Sequence, residues 1–483
     1  MTSNAPDALL ASAAVILSAG EGTRMKSALP KALHRVCGRP LVHHAAQAAI
    51  DAGCKEVVVV VGHGAGAVTS YLQTAFAGRV KTVLQPERRG TGDAARIGVS
   101  TLTSDAPRVL IFYGDVPLVT AQDLALVAKR LDAAPKRPLA LATCDVDDPH
   151  GYGRILTDEH GHIIEVREER DLKTDAQRAV KTINPGIFAA ERDFAVESLG
   201  LLKTNNAQKE YYLTDIVAIA VAARHRVGRV PLGANVLVGV NDRDQLARAE
   251  EKMYETIARS HRLAGVTVKE GARIDAGVAI GEDATVETGA VLRGTTKIGA
   301  RGTVDVGCVL TNVEVGDGVV LKPYTVAQDS KIADGAQIGP FSNLRAASDI
   351  GKNAHVGNFV ETKKTKIGEG SKANHLAYLG DGVIGKRANI GAGTIFCNYD
   401  GVQKHTTLVD DDAFIGSDSQ IVAPVRIGKG AYVATGTTVT RDVPDDALAI
   451  ARVKQENKEG YASRLRARLL AHAKEEPTTK PRV

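Results

Sequence analysis

Residues 266–304 read VTVKEGARIDAGVAIGEDATVETGAVLRGTTKIGARGTV, and this stretch decides the fold. Its aliphatic residues recur at every sixth position, and the same spacing returns twice further along the chain. A six-residue period fits neither the turn of a helix, about 3.6 residues, nor the two-residue alternation of a paired strand. The recurring positions are Val268, Ile274, Ile280, Val286, Leu292, Ile298, Val304, Leu310; Val326, Ile332, Ile338, Leu344, Ile350, Val356; and Val409, Ile415, Ile421, Ile427, Val433, Val439.

The period fits a chain that turns one corner per repeat, buries one aliphatic residue there and stacks coil upon coil. Glycine often follows the aliphatic residue, as in Ile298-Gly299 and Ile427-Gly428, and relieves the steric cost of a tight corner. The pattern resembles the left-handed parallel β-helix of hexapeptide-repeat acyltransferases, although a purely structural solenoid has the same spacing. The hexads break at 311–325 and 362–378, where we expect loops to leave the coil.

Composition bounds the rest of the chain. At 483 residues it is too long for a single core, and 44% apolar content indicates a folded protein. A net charge of +5 is small for this length, so we expect no nucleic-acid partner. Part of that charge lies in a basic C-terminal tail, which we interpret as a solvated or frayed end: Arg464, Arg466, Arg468, Lys474, Lys480 and Arg482.

The cysteine pattern and the hydropathy of the chain indicate in which cellular compartment the protein is expected. The five cysteines form neither a CxxC pair nor a zinc-type spacing, and their number is odd. With no secretory signal pattern at the N-terminus, they favour a reducing cytoplasm. No run of about 18 apolar residues exists, so we expect no membrane span.

The N-terminal half alternates buried strands with helices. Ala13–Leu17, 56–61, 80–83 and 109–112 are aliphatic strand patterns, and 43–52 and 69–76 have helical patterns. Such alternation predicts an α/β, Rossmann-like domain with a mainly parallel sheet, whose ligands bind beyond the carboxyl ends of the strands.

Three polar segments follow predicted strand ends: 18–25 (SAGEGTRM), 85–92 and Tyr113-Gly114-Asp115. A glycine-rich turn with Arg24, followed by Lys31, is typical of a phosphate-binding loop, because glycine lets backbone N–H groups approach the anion. It matches neither the Walker A nor the dinucleotide spacing. Asp115, directly after a buried strand, suits Mg²⁺, which prefers hard oxygen ligands. Each segment is also compatible with an ordinary turn or helix cap.

Taken together, LSAGEGTRMKSALPKALH, the GTG of RRGTGDA, YGDVPL, GYGRI, NNAQKEYYLTDI and GVN resemble the sugar-nucleotide pyrophosphorylase half of the bifunctional bacterial N-acetylglucosamine-1-phosphate uridyltransferase/glucosamine-1-phosphate N-acetyltransferase family. The resemblance covers nearly the whole chain and keeps the motif order. It implies that Arg24 and Lys31 face the phosphates and act in catalysis, and that Asp115 and Asn241 bind Mg²⁺. The implied binding residues for UTP and N-acetylglucosamine 1-phosphate are Leu17, Ser18, Ala19, Gly20, Lys31, Gln85, Gly90, Thr91, Tyr113, Gly114, Asp115, Gly153, Glu168, Asn184 and Asn241.

The chemistry implied is attack by the sugar phosphate on the α-phosphorus of UTP, with pyrophosphate leaving. Such transfer depends on positioning and charge neutralisation, and an anionic phosphate needs no general base. Two departures from the family pattern occur here. Asp93 stands where His is expected in GTGHA, and Pro185 stands where Thr or Ala is usual in INTG.

In the repeat half, cations near the irregular hexads suit a phosphorylated substrate, and His375 suits removal of a proton near neutral pH. A lone histidine in a loop is more often a surface residue. However, FVETKKTKIGEGSKANHLAYLGD and NIGAGTIFCNYDG resemble the acetyltransferase half of the same family.

That resemblance implies a homotrimer with acetyl-CoA between neighbouring β-helices, and His375 as the general base for glucosamine 1-phosphate. Thr435 stands where the family commonly has Ala, a third departure from the family pattern. The implied sugar-phosphate contacts are Arg345, Lys363, Tyr378 and Asn389. The implied acetyl-CoA contacts are Ala392, Asn398, Tyr399, Ser417, Thr435 and Arg452.

We therefore expect a uridyltransferase domain over 1–243, a helical linker over 244–264 and a left-handed β-helix acetyltransferase domain with its basic tail over 265–483. The linker pattern, with apolar residues at Leu246, Ala249, Met253 and Ile257, is equally typical of the last helix of the first domain. Two other functions remain open from the sequence. One is a nucleotidyltransferase whose β-helix only assembles subunits, and the other is a non-catalytic scaffold that binds sugar nucleotides.

Overall fold

The computed structural model describes residues 12–133, 137–233, 236 and 239–475, with the main chain alone at 474 and 475. It consists of two compact units, Met1–Thr296 and Lys297–Val483. The expected domain limits at 243 and 264 stay a prediction.

A mixed sheet forms the centre of the first unit, with helices on both faces. Its strands are β1 (Ser12–Ser18), β4 (Glu56–Val61), β5 (Val80–Leu84), β6 (Arg108–Tyr113), β7 (Leu139–Asp145), β8 (Arg154–Thr157), β9 (Ile163–Arg167), β10 (Thr182–Ile183), β11 (Ile187–Glu191) and β12 (Gly228–Pro231), beside a small pair, β2 (Arg35–Val36) and β3 (Arg39–Pro40). Its helices are α1 (Leu41–Asp51), α2 (Ala65–Phe76), α3 (Thr91–Ser100), α4 (Ala121–Lys129), α5 (Asp175–Arg178), α6 (Arg192–Gly200), α7 (Asp215–Ala222) and α8 (Arg243–Leu263).

The strand order is β5-β4-β1-β6-β11-β7-β10-β8-β9, with β12 beside β7. The strands β5, β4, β1 and β6 are parallel, which brings their carboxyl ends to one edge. Residues alternate between two apolar cores along each central strand, so Ile16 packs on one face and Val15 on the other. The predicted doubly covered α/β arrangement is confirmed.

The helix α8 lies within the first unit and buries one face. Ala249 and Met253 are buried against a small core that includes Met25 and Val36, and Glu250 Oε1 accepts a hydrogen bond from the Cys37 N–H at 3.1 Å. The linker and the last-helix interpretations of this segment both stay predictions.

The repeat begins inside the first unit. Its strands there are β13 (Thr267–Val268), β14 (Arg273–Ile274), β15 (Ala279–Ile280), β16 (Thr285–Val286) and β17 (Val291–Arg293). Thr267 pairs in parallel with Thr285, 18 positions on, which is three hexads per coil. Val268, Ile274, Val286 and Leu292 are buried as expected.

The second unit continues as short parallel strands in a left-handed parallel β-helix, as predicted. These are β18 (Lys297–Ile298), β19 (Thr303–Val304), β20 (Val309–Thr311), β21 (Glu314–Val315), β22 (Val320–Leu321), β23 (Val326–Gln328), β24 (Lys331–Ile332), β25 (Gln337–Ile338), β26 (Asn343–Leu344), β27 (Asp349–Ile350), β28 (His355–Lys363), β29 (Lys366–Ile367), β30 (Lys372–Gly380), β31 (Gly382–Ile384), β32 (Asn389–Ile390), β33 (Ile395–Cys397), β34 (Thr407–Val409), β35 (Phe414–Ile415), β36 (Gln420–Val422), β37 (Val425–Ile427), β38 (Tyr432–Val433), β39 (Thr438–Val439) and β40 (Leu448–Ala449).

The prediction of a loop at 311–325 is wrong, because those residues stay in the coil. Leu310 pairs with Ala327, 17 positions on, so this coil is one residue shorter than three hexads. The shortened coil shifts the buried position from Val326 to Ala327, and Val326 is exposed. The apparent break in the hexads is therefore a change of register.

The predicted loop at 362–378 is wrong for the same reason. β28 and β30 pair in parallel, with Val356 opposite Ala373 and Thr362 opposite Leu379, again 17 positions apart. The true excursion comes later: Ile384 pairs with Val409, 25 positions on, eight more than 17. The extra residues lie around 398–406, where Tyr399 and Lys404 form an antiparallel bridge.

Within the described part of the basic tail, helix α9 (Tyr461–Glu475) contains Arg464, Arg466 and Arg468. All three residues are exposed, as expected for a solvated end. Lys480 and Arg482 lie outside the described residues, as do residues 1–11. Among the described helices, none is long and apolar enough to cross a membrane.

Candidate active sites

A cleft of about 1000 Å³ opens at the carboxyl edge of the sheet in the first unit. β1 ends at Ser18 and β6 ends at Tyr113, and the two strands are neighbours, so the segments that follow them meet there. Most of the residues implied for the uridyltransferase half line this cleft. They are Leu17, Ala19, Gly20, Arg24, Gln85, Gly90, Thr91, Tyr113, Asp115, Gly153, Glu168, Asn184 and Asn241.

Lys31 connects the two residues implied for the metal. Its Nζ donates to Asp115 Oδ2 at 2.5 Å and to Asn241 Oδ1 at 2.9 Å. The main chain also holds this corner together, because the Val240 N–H donates to the Asp115 carbonyl at 2.9 Å. The lysine is largely buried, with 13% of its side chain exposed. A fixed cation therefore stands beside a carboxylate at the edge of the cleft.

These oxygens fit a magnesium ion. One oxygen from Asp115 and one from Asn241 already converge on a single cationic group, the Lys31 ammonium. Mg²⁺ is commonly held by one or two protein oxygens, with waters and substrate phosphates completing its shell. Among the described residues, no group of three or more His, Cys, Asp and Glu side chains could hold a metal. Substrate oxygens would therefore supply much of the coordination.

The segment 85–92 forms the second wall. Gly90 has φ +108°, and a Cβ there would lie 2.5 Å from the Tyr211 carbonyl oxygen, so only glycine fits. The Tyr211 N–H donates to the Arg89 carbonyl at 2.8 Å, and the Leu213 N–H donates to Thr91 Oγ1 at 3.1 Å. The NNAQKEYYLTD segment thus supports the loop that carries Gln85 and Thr91.

The third wall comes from β8, β9 and the turn before β11. The Asn184 N–H donates to the Gly153 carbonyl at 3.0 Å, and Asn184 Oδ1 accepts from the Gly186 N–H at 2.9 Å. Gly186 has φ +81°, and a Cβ there would lie 2.1 Å from the Tyr113 ring. Asn184 and Tyr113 are therefore fixed beside each other, with Pro185 also on the cleft lining.

Glu168 is a half-buried carboxyl of this wall. Burial raises the pKa of Glu168 above its ordinary value, and the Asp215 and Asp171 carboxyls add to the rise. The Thr214 hydroxyl donates to Glu168 Oε1 at 3.0 Å and acts against the rise. Asp215 stands behind it at the start of α7. Burial, with the Glu165 and Asp171 charges, raises the pKa of Asp215 to about 6.

We predict that Asp215 makes the first unit less stable as the pH rises from about 4 to about 6. Its pKa is 3.8 ordinarily and about 6 in the folded protein, so in this window the folded state binds more protons than the unfolded state. Asp215→Asn removes the titrating carboxyl, so this loss of folding stability with rising pH should disappear. Its unfolding midpoint should exceed that of the wild type by roughly 5 °C at pH 7.5 and by less at pH 4.

The matched control is Asp193→Asn, an exposed carboxylate in the first turn of α6. Thermal unfolding of both variants from pH 4 to 8, followed by circular dichroism, measures the effect. A difference between Asp215→Asn and the wild type that stays constant across this range would contradict the assignment.

Three implied residues lie away from the cleft lining. Ser18 and Gly114 stand behind it, where the Gly114 N–H donates to the Leu17 carbonyl at 2.8 Å. Lys31 reaches it only through Asp115 and Asn241. Arg24 lines the cleft, is exposed, and makes no hydrogen bond or ion pair within the part of the chain that the structure describes. Its charge is therefore available to a phosphate.

In the second unit, His375 lies on β30 with its side chain exposed. Its Nδ1 is 3.0 Å from Asn358 Oδ1, and the two residues are paired across β28 and β30. An amide oxygen can only accept, so Nδ1 carries the proton and the lone pair of Nε2 is left for a substrate. The sequence alone does not single out Asn358, although a 17-residue coil places it directly beside His375.

A group of cations includes Lys363, which pairs with Gly380 on β30, the strand that carries His375. Arg345 pairs with Glu361 at 2.7 Å, and Lys363 lies beside Lys404. The pKa of Lys363 is lowered by a hydrogen bond with Lys404, by the like charge of Lys404, and then by desolvation and the charge of Arg345. Lys404 comes from the excursion at 398–406, which the hexad pattern does not locate. Cations held this close favour a dianionic ligand such as a phosphate.

Tyr378 and Asn398 meet at Gly380, the residue that pairs with Lys363. A Cβ on Gly380 would lie 2.5 Å from the Tyr378 hydroxyl and 2.8 Å from Asn398 Nδ2, so glycine lets these polar groups approach. Asn398 Nδ2 also donates to Asp381 Oδ2 at 2.5 Å. Asn389 pairs with Lys372 on the strand that carries His375.

Four of the six residues implied for acetyl-CoA, Ala392, Ser417, Thr435 and Arg452, follow one another from coil to coil along one corner. The Ala392 carbonyl accepts from the Asp418 N–H at 2.6 Å, and the Ser417 carbonyl accepts from the Gly436 N–H at 2.9 Å. The Thr435 carbonyl accepts from Arg452 at 2.5 Å. Ser417, Thr435 and Arg452 are exposed, and Tyr399 is 60% exposed on the excursion.

Known proteins resemble both halves of the chain. Residues 14–180 match the MobA-like NTP transferase domain, and residues 407–441 match the hexapeptide repeat of succinyl-transferase. The bifunctional protein GlmU of Sorangium cellulosum is 56% identical over 464 residues, which cover 95% of this chain and 98% of that protein.

Two further relatives have the same name and also match over nearly their full length. The bifunctional protein GlmU of Anaeromyxobacter sp. (strain Fw109-5) is 46% identical over 94% of this chain and 93% of its own length. That of Pelobacter propionicus is 42% identical over 94% of this chain and 98% of its own length. With identity this high over nearly the full length, the chain belongs to the family of the bifunctional protein GlmU.

Proposed function

We propose that this enzyme makes UDP-N-acetylglucosamine in two successive transfers. It is a nucleotidyltransferase and an acetyl-CoA-dependent N-acetyltransferase. The second unit acetylates glucosamine 1-phosphate, and the first unit then transfers UMP from UTP to the N-acetylglucosamine 1-phosphate, releasing pyrophosphate. The observation that supports this assignment best is that two separate polar sites, around Asp115 and around His375, lie in the two units of one chain.

In the acetyl transfer, His375 Nε2 takes a proton from the 2-amino group of the sugar. The nitrogen attacks the thioester carbonyl carbon, the C–N bond forms, and the C–S bond breaks with coenzyme A leaving as a thiolate that takes up a proton. Asn358 accepts from Nδ1, which orients the ring and leaves the lone pair of Nε2 for the amine proton. The sugar phosphate would bind Arg345 and Lys363, and its charge would relieve the repulsion around Lys363.

In the uridylyl transfer, a phosphate oxygen of N-acetylglucosamine 1-phosphate attacks the α-phosphorus of UTP while the bond to pyrophosphate breaks. Arg24 and the glycine-rich turn would bind the triphosphate, and Lys31 holds Asp115 in place. Gly153, Glu168 and Asn184 would hold the N-acetylglucosamine, and Gln85, Gly90 and Thr91 the uridine. Asp115 and Asn241 would bind Mg²⁺, which when bound neutralises charge on the phosphates.

We also infer a cytoplasmic homotrimer with acetyl-CoA bound between neighbouring β-helices. All five cysteines are free thiols, which suits a reducing compartment. An exposed ladder of aromatic rings, Tyr324, Phe341 and Phe359, stacks along one corner of the coil with centroids 5.2 and 5.6 Å apart. Exposed apolar rows of this kind commonly mark a protein–protein contact.

One incubation tests the proposed function. Enzyme with glucosamine 1-phosphate, acetyl-CoA, UTP and Mg²⁺ should yield UDP-N-acetylglucosamine, detected by mass spectrometry. Addition of EDTA should stop the reaction at N-acetylglucosamine 1-phosphate, because only the uridylyl transfer would need the metal.

Each alternative has its own outcome. UDP-N-acetylglucosamine formed only when N-acetylglucosamine 1-phosphate is supplied would favour a single nucleotidyltransferase with an inert β-helix. Absence of any product from either sugar phosphate would favour a binding scaffold. If EDTA does not reduce the yield of UDP-N-acetylglucosamine, the uridylyl transfer does not need a metal ion.

A further inference from the structure

Asp93 is buried in the first turn of α3, directly after residues 85–92, which form the second wall of the cleft. Only 5% of its side chain is exposed, and both of its oxygens have partners. Oδ1 accepts from Arg96 at 2.5 Å, and Oδ2 accepts from Gln85 Nε2 at 2.9 Å. Burying a carboxylate is costly unless such partners are present. Its bond to Gln85 therefore gives a buried charge a direct link to a residue of the cleft.

That link determines which way the Gln85 amide faces. Nε2 also donates to the Gly90 carbonyl at 3.2 Å. A carboxylate and a carbonyl can only accept, so the amide nitrogen must face both of them, and Oε1 must face the other way. Among the described residues, no donor lies within hydrogen-bond distance of Oε1, and Gln85 lines the cleft.

We propose that Asp93 is a positioning residue that sets the nucleobase preference of the uridylyl transfer. Uracil carries an N–H donor at N3, whereas cytosine has an acceptor at that position. An amide oxygen held toward this edge accepts from uracil and repels cytosine. Sites built around such a hydrogen bond reject the base that cannot make it. The inference rests on the proposed placement of the uridine against Gln85.

The substitution that tests the inference is Asp93→Asn, which keeps the size of the side chain. Arg96 can only donate, so it retains the Asn oxygen on its side, and the new NH₂ faces Gln85. Two amide nitrogens then oppose each other, and the Gln85 amide no longer has a single favoured orientation. We expect the ratio of kcat/KM for UTP to that for CTP to fall by about tenfold or more.

Acetyl transfer by the same preparation serves as the measure of enzyme concentration, because its proposed site lies in the second unit, and circular dichroism on heating checks the folding of the first unit. Asp93→Glu is the conservative variant: it keeps an acceptor-only carboxylate, so it should retain the UTP preference even where its absolute rate falls. A wild-type ratio in Asp93→Asn would overturn the inference. So would a loss of preference in Asp93→Glu as large as in Asp93→Asn, because that pattern indicates disturbed packing.

Gln85→Ala separates failure of the inference from failure of the placement on which it rests. The preference should fall in this variant as well. If it falls in Gln85→Ala but not in Asp93→Asn, the base contact stands and the positioning role of Asp93 is wrong. If both variants keep the wild-type ratio, the uridine does not lie against Gln85, and both statements are wrong together.

Discussion

Substituting His375 by Ala is expected to lower acetyl transfer by about 10³-fold, because a positioned general base typically contributes about 10²- to 10⁴-fold. The imidazole presents Nε2 to the substrate because Nδ1 is bonded to Asn358. Uridylyl transfer from N-acetylglucosamine 1-phosphate should continue at the wild-type rate, since its proposed site lies in the first unit. The two activities are measured separately, by thiol release from acetyl-CoA and by pyrophosphate release.

The matched control is His355→Ala, another histidine of the same β-helix, at the start of β28. It lies outside the proposed contacts and should leave both activities near the wild-type level. Loss of both activities in His375→Ala would undermine the model of two independent sites. Retention of acetyl transfer would remove His375 as the base.

Asp115→Ala should have the opposite outcome, with uridylyl transfer reduced on the order of 10²- to 10³-fold and acetyl transfer intact. The substitution removes the carboxylate proposed for the metal and leaves Lys31 with only Asn241 as a partner. Its largely buried ammonium would then be free to shift away from the phosphates. Pyrophosphate release, measured over a range of Mg²⁺ concentrations, reports the loss.

Asp132→Ala provides a control at the other end of β6, the strand that Asp115 follows. Asp132 pairs there with Arg108, the first residue of β6. It also removes a carboxylate from an ion pair, but far from the cleft, so uridylyl transfer should persist. Normal Mg²⁺-dependent pyrophosphate release by Asp115→Ala would exclude Asp115 from the metal site.

Much of this architecture is readable from local pattern. The buried strand Glu56–Val61 has the limits that its aliphatic run predicts, and the six-residue period identifies the solenoid without any long-range information. Both signals are strong because each depends only on which neighbouring residues share a buried face. The cleft residues after β1 and β6 could be grouped in advance because parallel strands end at one edge.

Contacts between coils are harder to read, since they depend on the number of residues per turn. Assuming strict hexads places Val326 in the core, whereas a 17-residue coil buries Ala327 there. The same one-residue difference conceals Asn358, which lies beside His375 because it is 17 positions earlier. Neither residue carries a distinctive local signature.

Asp93 illustrates a different limit. The sequence marks it as a departure from the family pattern, yet its role depends on Gln85 and Arg96, which meet it only in the folded chain. Likewise, Lys404 reaches Lys363 because of an excursion whose place the repeat pattern does not reveal. Side-chain partners across loops must be seen in three dimensions.

The excursion at 398–406 also bears on how such an enzyme can diversify. The eight extra residues depart and return while Ile384 and Val409 stay paired, so the aliphatic columns on either side keep their neighbours. We expect that this segment can be lengthened, shortened or substituted without compensating changes elsewhere in the solenoid. Asn398, Tyr399 and Lys404 all lie on it. Asn398 and Tyr399 are among the residues proposed to contact acetyl-CoA, so we expect changes in this segment to alter the acyl-donor site and to leave the paired coils unchanged.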